Sequence, residues 1–288
     1  MYRTLIMALI IAPLSATVID SLETQIKMCS GYRWDNVLTE GHLQNISVSP
    51  AVSGNVQGDQ ILRRLKNIHL WRVELGGQAT FNQFVVLSGR FAYDVFFNYP
   101  GEELSALFTN NTNFSQLIID NYEKFTERDF GLDAEVALGA QLKLFKNRFM
   151  ITPKVGLGAY KLSITPENSM VTYGLFTGFD FTIPLHHSLD LTAGYQFHLP
   201  GVRRERIAFI PRSSITVAPA KLINGGFWGS SAQAGIQWHW AKRWDLSLSW
   251  QYRNLTANSD ENTGFGGLAF LKTVWTSQSV NLSLKYTY

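Results

Sequence analysis

Cysteine is nearly missing from this sequence. Cys29 is the only one in 288 residues, so no disulfide can close within the chain. Lys27 and Met28 before it are wrong for a lipid-attachment site. Long apolar runs are missing too. After Ala16 no stretch of about 18 or more apolar residues occurs, which excludes a helical membrane span. Charge is sparse, at 16% of residues, and the net +3 is scattered along the chain. A sequence pI near 8.9 therefore does not mark a nucleic-acid binder, which would gather its basic residues into a patch. The mean hydropathy of -0.03 and the hydrophobic share of 45% are ordinary for a soluble protein, as long as helices are the only way considered across a membrane.

The first residues point to export. Arg3 gives a positive start, Thr4 to Leu14 is mostly apolar, and Leu14-Ser15-Ala16 offers a small-residue cleavage site. That three-part layout predicts a cleavable signal over residues 1–16, leaving 17–288 as one large domain.

Alternation of period two is what the rest of the chain has in abundance. Successive side chains of a strand point to opposite faces, so a barrel strand in lipid alternates apolar outward with small or polar inward. In Phe130 to Leu144, one face holds Phe130, Leu132, Ala134, Val136, Leu138, Ala140, Leu142 and Leu144. The other holds Gly131, Asp133, Glu135, Ala137, Gly139, Gln141 and Lys143. The same pattern recurs near 27–35, 69–77, 84–95, 149–162, 171–183, 189–199, 228–240, 244–252 and 280–288. Period-two runs form no helical stripe, so the fold class is all-β, a transmembrane antiparallel β-barrel of about ten strands. Eight or twelve strands are the alternatives. Twelve would need Gly264 to Ser279 and part of 36–66.

Connections after the first strand alternate long and short. The long ones, near 36–66, 96–128, 200–226 and 254–276, read as extracellular loops, and the short ones as periplasmic turns. With an even strand count both termini lie in the periplasm, and the first strand closes on the last because lipid satisfies no amide. Aromatic residues at strand ends predict two girdles. Phe149, Phe181, Trp240, Trp244 and Tyr288 form the periplasmic one, and Trp34, Tyr93, Trp228 and Tyr252 the outer one.

The inward set carries both signs. Arg72, Glu74, Arg90, Asp94, Asp133, Glu135, Lys143, Lys154, Asp180, Asp190, Asp245 and Arg253 are expected to line the lumen, with Lys27, Arg33 and Lys285. In a narrow barrel such charges must pair across the lumen. This is the mark of a structural scaffold or, alternatively, of a narrow porin-like channel. The loop at 200–226, with Arg203, Arg204, Arg206, Arg212 and Lys221, allows a third role, an adhesin-like contact with lipopolysaccharide or a host surface.

Asp35, Asp94, Asp133 and His198 fall toward the extracellular strand ends, where a carboxylate–histidine pair could activate water. At this point the chain resembles the omptin family, ten-stranded outer-membrane endopeptidases, in barrel size and strand number. That family places an aspartate two residues before its histidine and a pair of aspartates on the facing wall. Here Gln196 stands two before His198 and no Asp-x-Asp motif faces it, so the resemblance implies the fold without the catalytic residues. The chain also loosely resembles the diverse outer-membrane proteins of small intracellular bacteria. His198 and His239 are predicted at opposite ends of neighbouring strands, too far apart for one metal. No metal and no cofactor are expected. The expected partners are the lipid bilayer, lipopolysaccharide and, during biogenesis, the barrel-assembly machinery, with no nucleic acid.

Overall fold

The computed structural model describes residues 21–44, 46–47, 55–56, 59–96, 101–111, 114–125, 130–145, 148–165, 168–207, 221–262 and 268–288. The expected signal at 1–16 lies outside the described residues.

Ten antiparallel strands close into a transmembrane barrel. They are β1 (Leu22–Gln44), β2 (Asp59–Phe81), β3 (Val85–Phe96), β4 (Phe130–Ala140), β5 (Phe149–Thr165), β6 (Asn168–His186), β7 (Leu189–Ile207), β8 (Lys221–Ala241), β9 (Trp244–Asn262) and β10 (Leu268–Thr287). Each pairs with its neighbours in sequence, and β1 closes on β10 over the register Gln25↔Thr287 to Gln44↔Leu268. Closure removes every edge in the lipid zone, which is the condition for a sheet to cross a bilayer. Leu, Val, Phe, Tyr and Trp fill most of the outward positions, and the β-branched and aromatic ones among them suit an extended backbone.

The strands are longer than a membrane requires. β1 has 23 residues, whereas a tilted strand needs only about 9–11 to cross. The regions read as loops at 36–66, 200–226 and 254–276 therefore contain the upper halves of β1, β2, β7, β8, β9 and β10. The period-two cue depends on an apolar outward face, and above the membrane that face turns polar. The stretch 96–128 holds a hairpin, Gly101–Asn111 with Phe114–Phe125, whose first arm pairs with the upper half of β2 (Gln60↔Phe108 to Lys66↔Glu102).

Short turns mark the periplasmic end. Asn82 and Gln83 both have positive φ, 51° and 56°, the twist a tight hairpin demands. The Asn82 amide donates to the Ser21 carbonyl at 2.9 Å, fixing the start of β1 against the first turn.

The outward face in the lower half is a lipid surface: Met28, Val73, Leu75, Leu87, Leu157, Leu248 and Leu282 are all exposed. Phe149 and Phe181 pack at 5.4 Å and Trp244 and Tyr286 at 4.7 Å near the periplasmic rim, with Trp240 and Tyr288 exposed beside them. At the upper boundary Trp34 lies 5.9 Å from Tyr32, Tyr93 stacks on Phe130 at 5.8 Å, and Tyr252 stacks on Trp250 at 6.1 Å. Trp228 is exposed on the outside of β8.

Glycine is required at the closure seam. A β-carbon on Gly31 would lie 2.4 Å from the Val280 carbonyl oxygen and 2.2 Å from Asn281 Oδ1. Gly31→Val is expected to block seating of β1 on β10. The check is heat-modifiable migration after refolding into detergent, where the folded fraction should drop several-fold relative to a Ser30→Val control on the outward face.

Candidate functional site: the filled interior

The charged lumen residues gather at one height. Arg33 of β1 donates Nε to Asp35 Oδ1 at 2.9 Å and Nη2 to Asp35 Oδ2 at 2.6 Å, and reaches Asp94 Oδ2 of β3 at 2.5 Å and Asp133 Oδ1 of β4 at 3.4 Å. Asp133 also accepts from Arg72 of β2 at 2.7 Å and from Arg253 of β9 at 3.0 Å. One carboxylate thus joins three guanidiniums from three strands. Just below, Arg90 pairs with Glu135 and lies 3.8 Å from Glu74. Tyr160 of β5 donates to Glu135 at 2.7 Å, and Arg253 stacks over its ring at 3.9 Å. The far wall is tied in by Gln196, which donates to Glu135 at 3.3 Å and accepts from Ser231 at 2.9 Å.

This layer is dry. Arg33, Asp35, Asp94 and Asp133 each have 0% of their surface exposed, although they belong to the interior of a barrel that could in principle be wet. Its height is set by sequence neighbours that face outward. Trp34 follows Arg33, Tyr93 precedes Asp94 and Tyr252 precedes Arg253, so the layer lies level with these three outward aromatic rings.

Above it the interior turns apolar. Val37, Leu65, Ile68, Leu70, Leu162, Met170, Phe227, Leu255, Ala257 and Trp275 form one buried cluster with Tyr160. Trp275 joins the two zones: its indole N–H donates to Asp35 Oδ2 at 3.0 Å and its ring lies 5.4 Å from the Arg33 guanidinium. At the same height the outward face turns polar, with Glu40, Lys66, Arg204, Asn258 and Lys272 exposed.

Two bulges sit where the polarity changes. On β2, Asn67 has φ 57° and the register steps from Asp35↔Ile68 to Val37↔Leu65. The extra residue keeps both Ile68 and Leu65 inside. On β7 the register against β8 steps from His198↔Gly229 to Gly201↔Phe227, with Pro200 in the bulge, where its missing N–H breaks no ladder bond. The step turns Arg203 inward, fully buried, donating to Thr273 Oγ1 at 2.5 Å.

Below the layer the lumen is looser and polar. Lys154 donates to both Asp180 oxygens at 2.8 and 2.7 Å, and Gln233 reaches Asp180 Oδ1 at 3.2 Å. Near the rim His239 bridges Asp245 at 2.8 Å and Asp190 at 3.0 Å, and Lys285 lies 2.8 Å from Asp245.

Of the residues expected in the lumen, the structure joins Arg72, Glu74, Arg90, Asp94, Asp133, Glu135 and Arg253 in the dry layer. It sets Lys154 with Asp180, and Asp190 with Asp245, nearer the periplasm. Lys143 stands apart, in the exposed piece Leu142–Leu144 at the rim. Asp35, Asp94 and Asp133 are bound to guanidinium groups. His198 is buried against Tyr160, Phe176 and Ser231, and His239 lies at the other end of the barrel. Tyr160, Trp275 and the apolar cluster were not singled out from sequence. The available signal was the reversal of polarity between the two faces above Trp34, Tyr93 and Tyr252.

Residues 27–173, just over half of the chain, match the family described as Pom, Protochlamydia outer membrane protein. The chain belongs to the Pom family. Its place is the outer membrane. No curated protein matches the chain. Among solved structures, the outer-membrane protease OmpT of Escherichia coli is similar with a TM-score of 0.60 at 8% identity, covering 95% of this chain and 98% of that chain. That likeness is one of fold. The outer-membrane protein OprG of Pseudomonas aeruginosa gives a TM-score of 0.32 at 11% identity, covering 92% of this chain and 95% of that one. The toluene transporter TodX of Pseudomonas putida gives 0.28 at 8%, covering 97% and 93%.

Removing Asp133 leaves three buried guanidiniums short of their shared acceptor. Asp133→Ala should destabilise this Pom-family barrel by about 3–5 kcal/mol, because an uncompensated buried charge costs more than the pair contributes. Equilibrium unfolding in urea measures it. Adding Arg253→Ala should recover part of the loss, a coupling that a double-mutant cycle reads directly.

Proposed function

We propose that this protein is a non-conducting outer-membrane barrel that anchors a rigid β-walled platform above the bilayer for contacts at the cell surface. The observation carrying this reading is the dry layer of Arg33, Asp35, Arg72, Asp94, Asp133 and Arg253, capped by the apolar cluster around Trp275. A hydrated ion crossing it would have to break buried ion pairs and then enter an apolar zone, and both steps are strongly unfavourable. The extended upper wall supports the surface role, since strands longer than the membrane needs place ordered sheet in the external water. On this reading the lasting partner is the bilayer, with lipopolysaccharide against the outer girdle and the barrel-assembly machinery engaged only in biogenesis. The reading is non-enzymatic, since the aspartates level with His198 are occupied by arginines.

Planar-bilayer recording of the refolded, heat-modifiable protein should give no stable conductance steps. Reproducible steps with an ion preference would overturn the proposal in favour of a narrow channel. Substituting Arg90 or Lys154 should then alter that preference.

A further inference from the structure

The dry layer does not use the group at the opposite end of the lumen. There His239 of β8 lies between two carboxylates, with Nδ1 2.8 Å from Asp245 Oδ1 on β9 and Nε2 3.0 Å from Asp190 Oδ2 on β7. Asp245 Oδ2 in turn accepts from Gln237 at 3.1 Å and lies 2.8 Å from Lys285 Nζ on β10. Lys27 of β1 stands opposite Lys285 in the ladder, Pro184 of β6 stands opposite Asp190, and Lys242 and Arg243 form the turn below. A single chain of side-chain contacts therefore crosses the four last strands at the periplasmic rim.

We propose that Asp190–His239–Asp245–Lys285 is a proton-dependent clasp that holds the periplasmic mouth together and loosens as the imidazole deprotonates. An ionised carboxylate only accepts hydrogen bonds, so both contacts are made only when both ring nitrogens carry protons. Charge-assisted bonds of this kind are about twice as strong as neutral ones. Loss of one ring proton leaves one aspartate facing a bare nitrogen lone pair and removes the positive charge between the two carboxylates. Lys285 still neutralises Asp245, so the side that lets go is Asp190, on β7. The sign follows: the clasp stabilises the barrel while the ring is doubly protonated and the aspartates are ionised, and that contribution is lost as pH rises. His186 and His187 also stand at this end, at the end of β6 and in the turn after it, where the Ser188 carbonyl accepts from the His239 backbone amide at 2.9 Å. Both are kept in the variants below, so the excess over those variants reports the clasp.

The test compares thermal unfolding midpoints of the full barrel in detergent at about pH 5.5 and about pH 9, a range that brackets an ordinary imidazole near 6.5. The unmodified protein should lose about 3 °C more across that range than His239→Gln does. Asp190→Asn, which keeps the ring and its Asp245 contact, should lose most of the same excess and serves if His239→Gln does not refold. Ring nitrogen-15 spectra give a second readout: at about pH 5.5 the His239 signal should show both nitrogens protonated. Equal pH dependence in all three proteins, or a singly protonated His239 ring at about pH 5.5, would overturn the proposal.

Discussion

The barrel wall meets hydrocarbon over its lower half and water over its upper half, and that change of solvent governs nearly everything else about it. In lipid the outward face must be apolar, and the inward face is left for polar groups. In water the preference reverses, because a sheet that rises into solvent needs an apolar face to bury. One continuous set of strands has to satisfy both. The change of regime takes place where Trp34, Tyr93 and Tyr252 face out and Arg33, Asp94 and Arg253 face in. The ion-pair layer is well suited to that height: its guanidinium stems and the Trp275 ring pack against the apolar cluster above, while its charged ends pair among themselves. A hydrated layer there would expose the cluster to water.

Reversing polarity along a strand calls for either a change of residue type at fixed parity or a shift of parity. Both occur. On β1 the inward parity continues unbroken through Arg33, Asp35, Val37 and Thr39, and only the residue type changes. On β2 and β7 a bulge shifts the parity, so that Leu65 follows Ile68 inward and Arg203 follows His198. The bulges share one level because each strand meets the same boundary there. Bulges commonly end or re-aim a strand, and here they let β2 and β7 run on into a second environment.

That explains how much could be read from the sequence. Strand identity, order and facing were legible from Lys27–Asp35 through Val280–Tyr288, because in the lipid zone outward residues such as Leu75, Phe91 and Leu248 are unmistakably apolar and their partners polar. The upper halves resemble loops in the sequence because the cue inverts there. Gly264 to Ser279 looked ambiguous because its apolar members Leu268 and Phe270 belong to the strand part above the membrane, while Trp275 faces inward. The lumen residues could be named from parity alone. Their grouping could not, because it depends on register between strands far apart in sequence, such as Arg33 with Asp133 and Arg253 with Tyr160.

The likeness to OmpT extends over nearly the whole of both chains and is one of fold. A site that activates water needs a carboxylate and a histidine within reach of one another. At the height of His198 every aspartate of the layer is bound by arginine, and the imidazole itself is enclosed by Tyr160, Phe176 and Ser231. The histidine that does meet carboxylates, His239, meets two at once and stands at the periplasmic rim. Ten tall strands set the scaffold here. Arginines placed opposite the aspartates draw the carboxylates of this interior into one buried ion-pair layer.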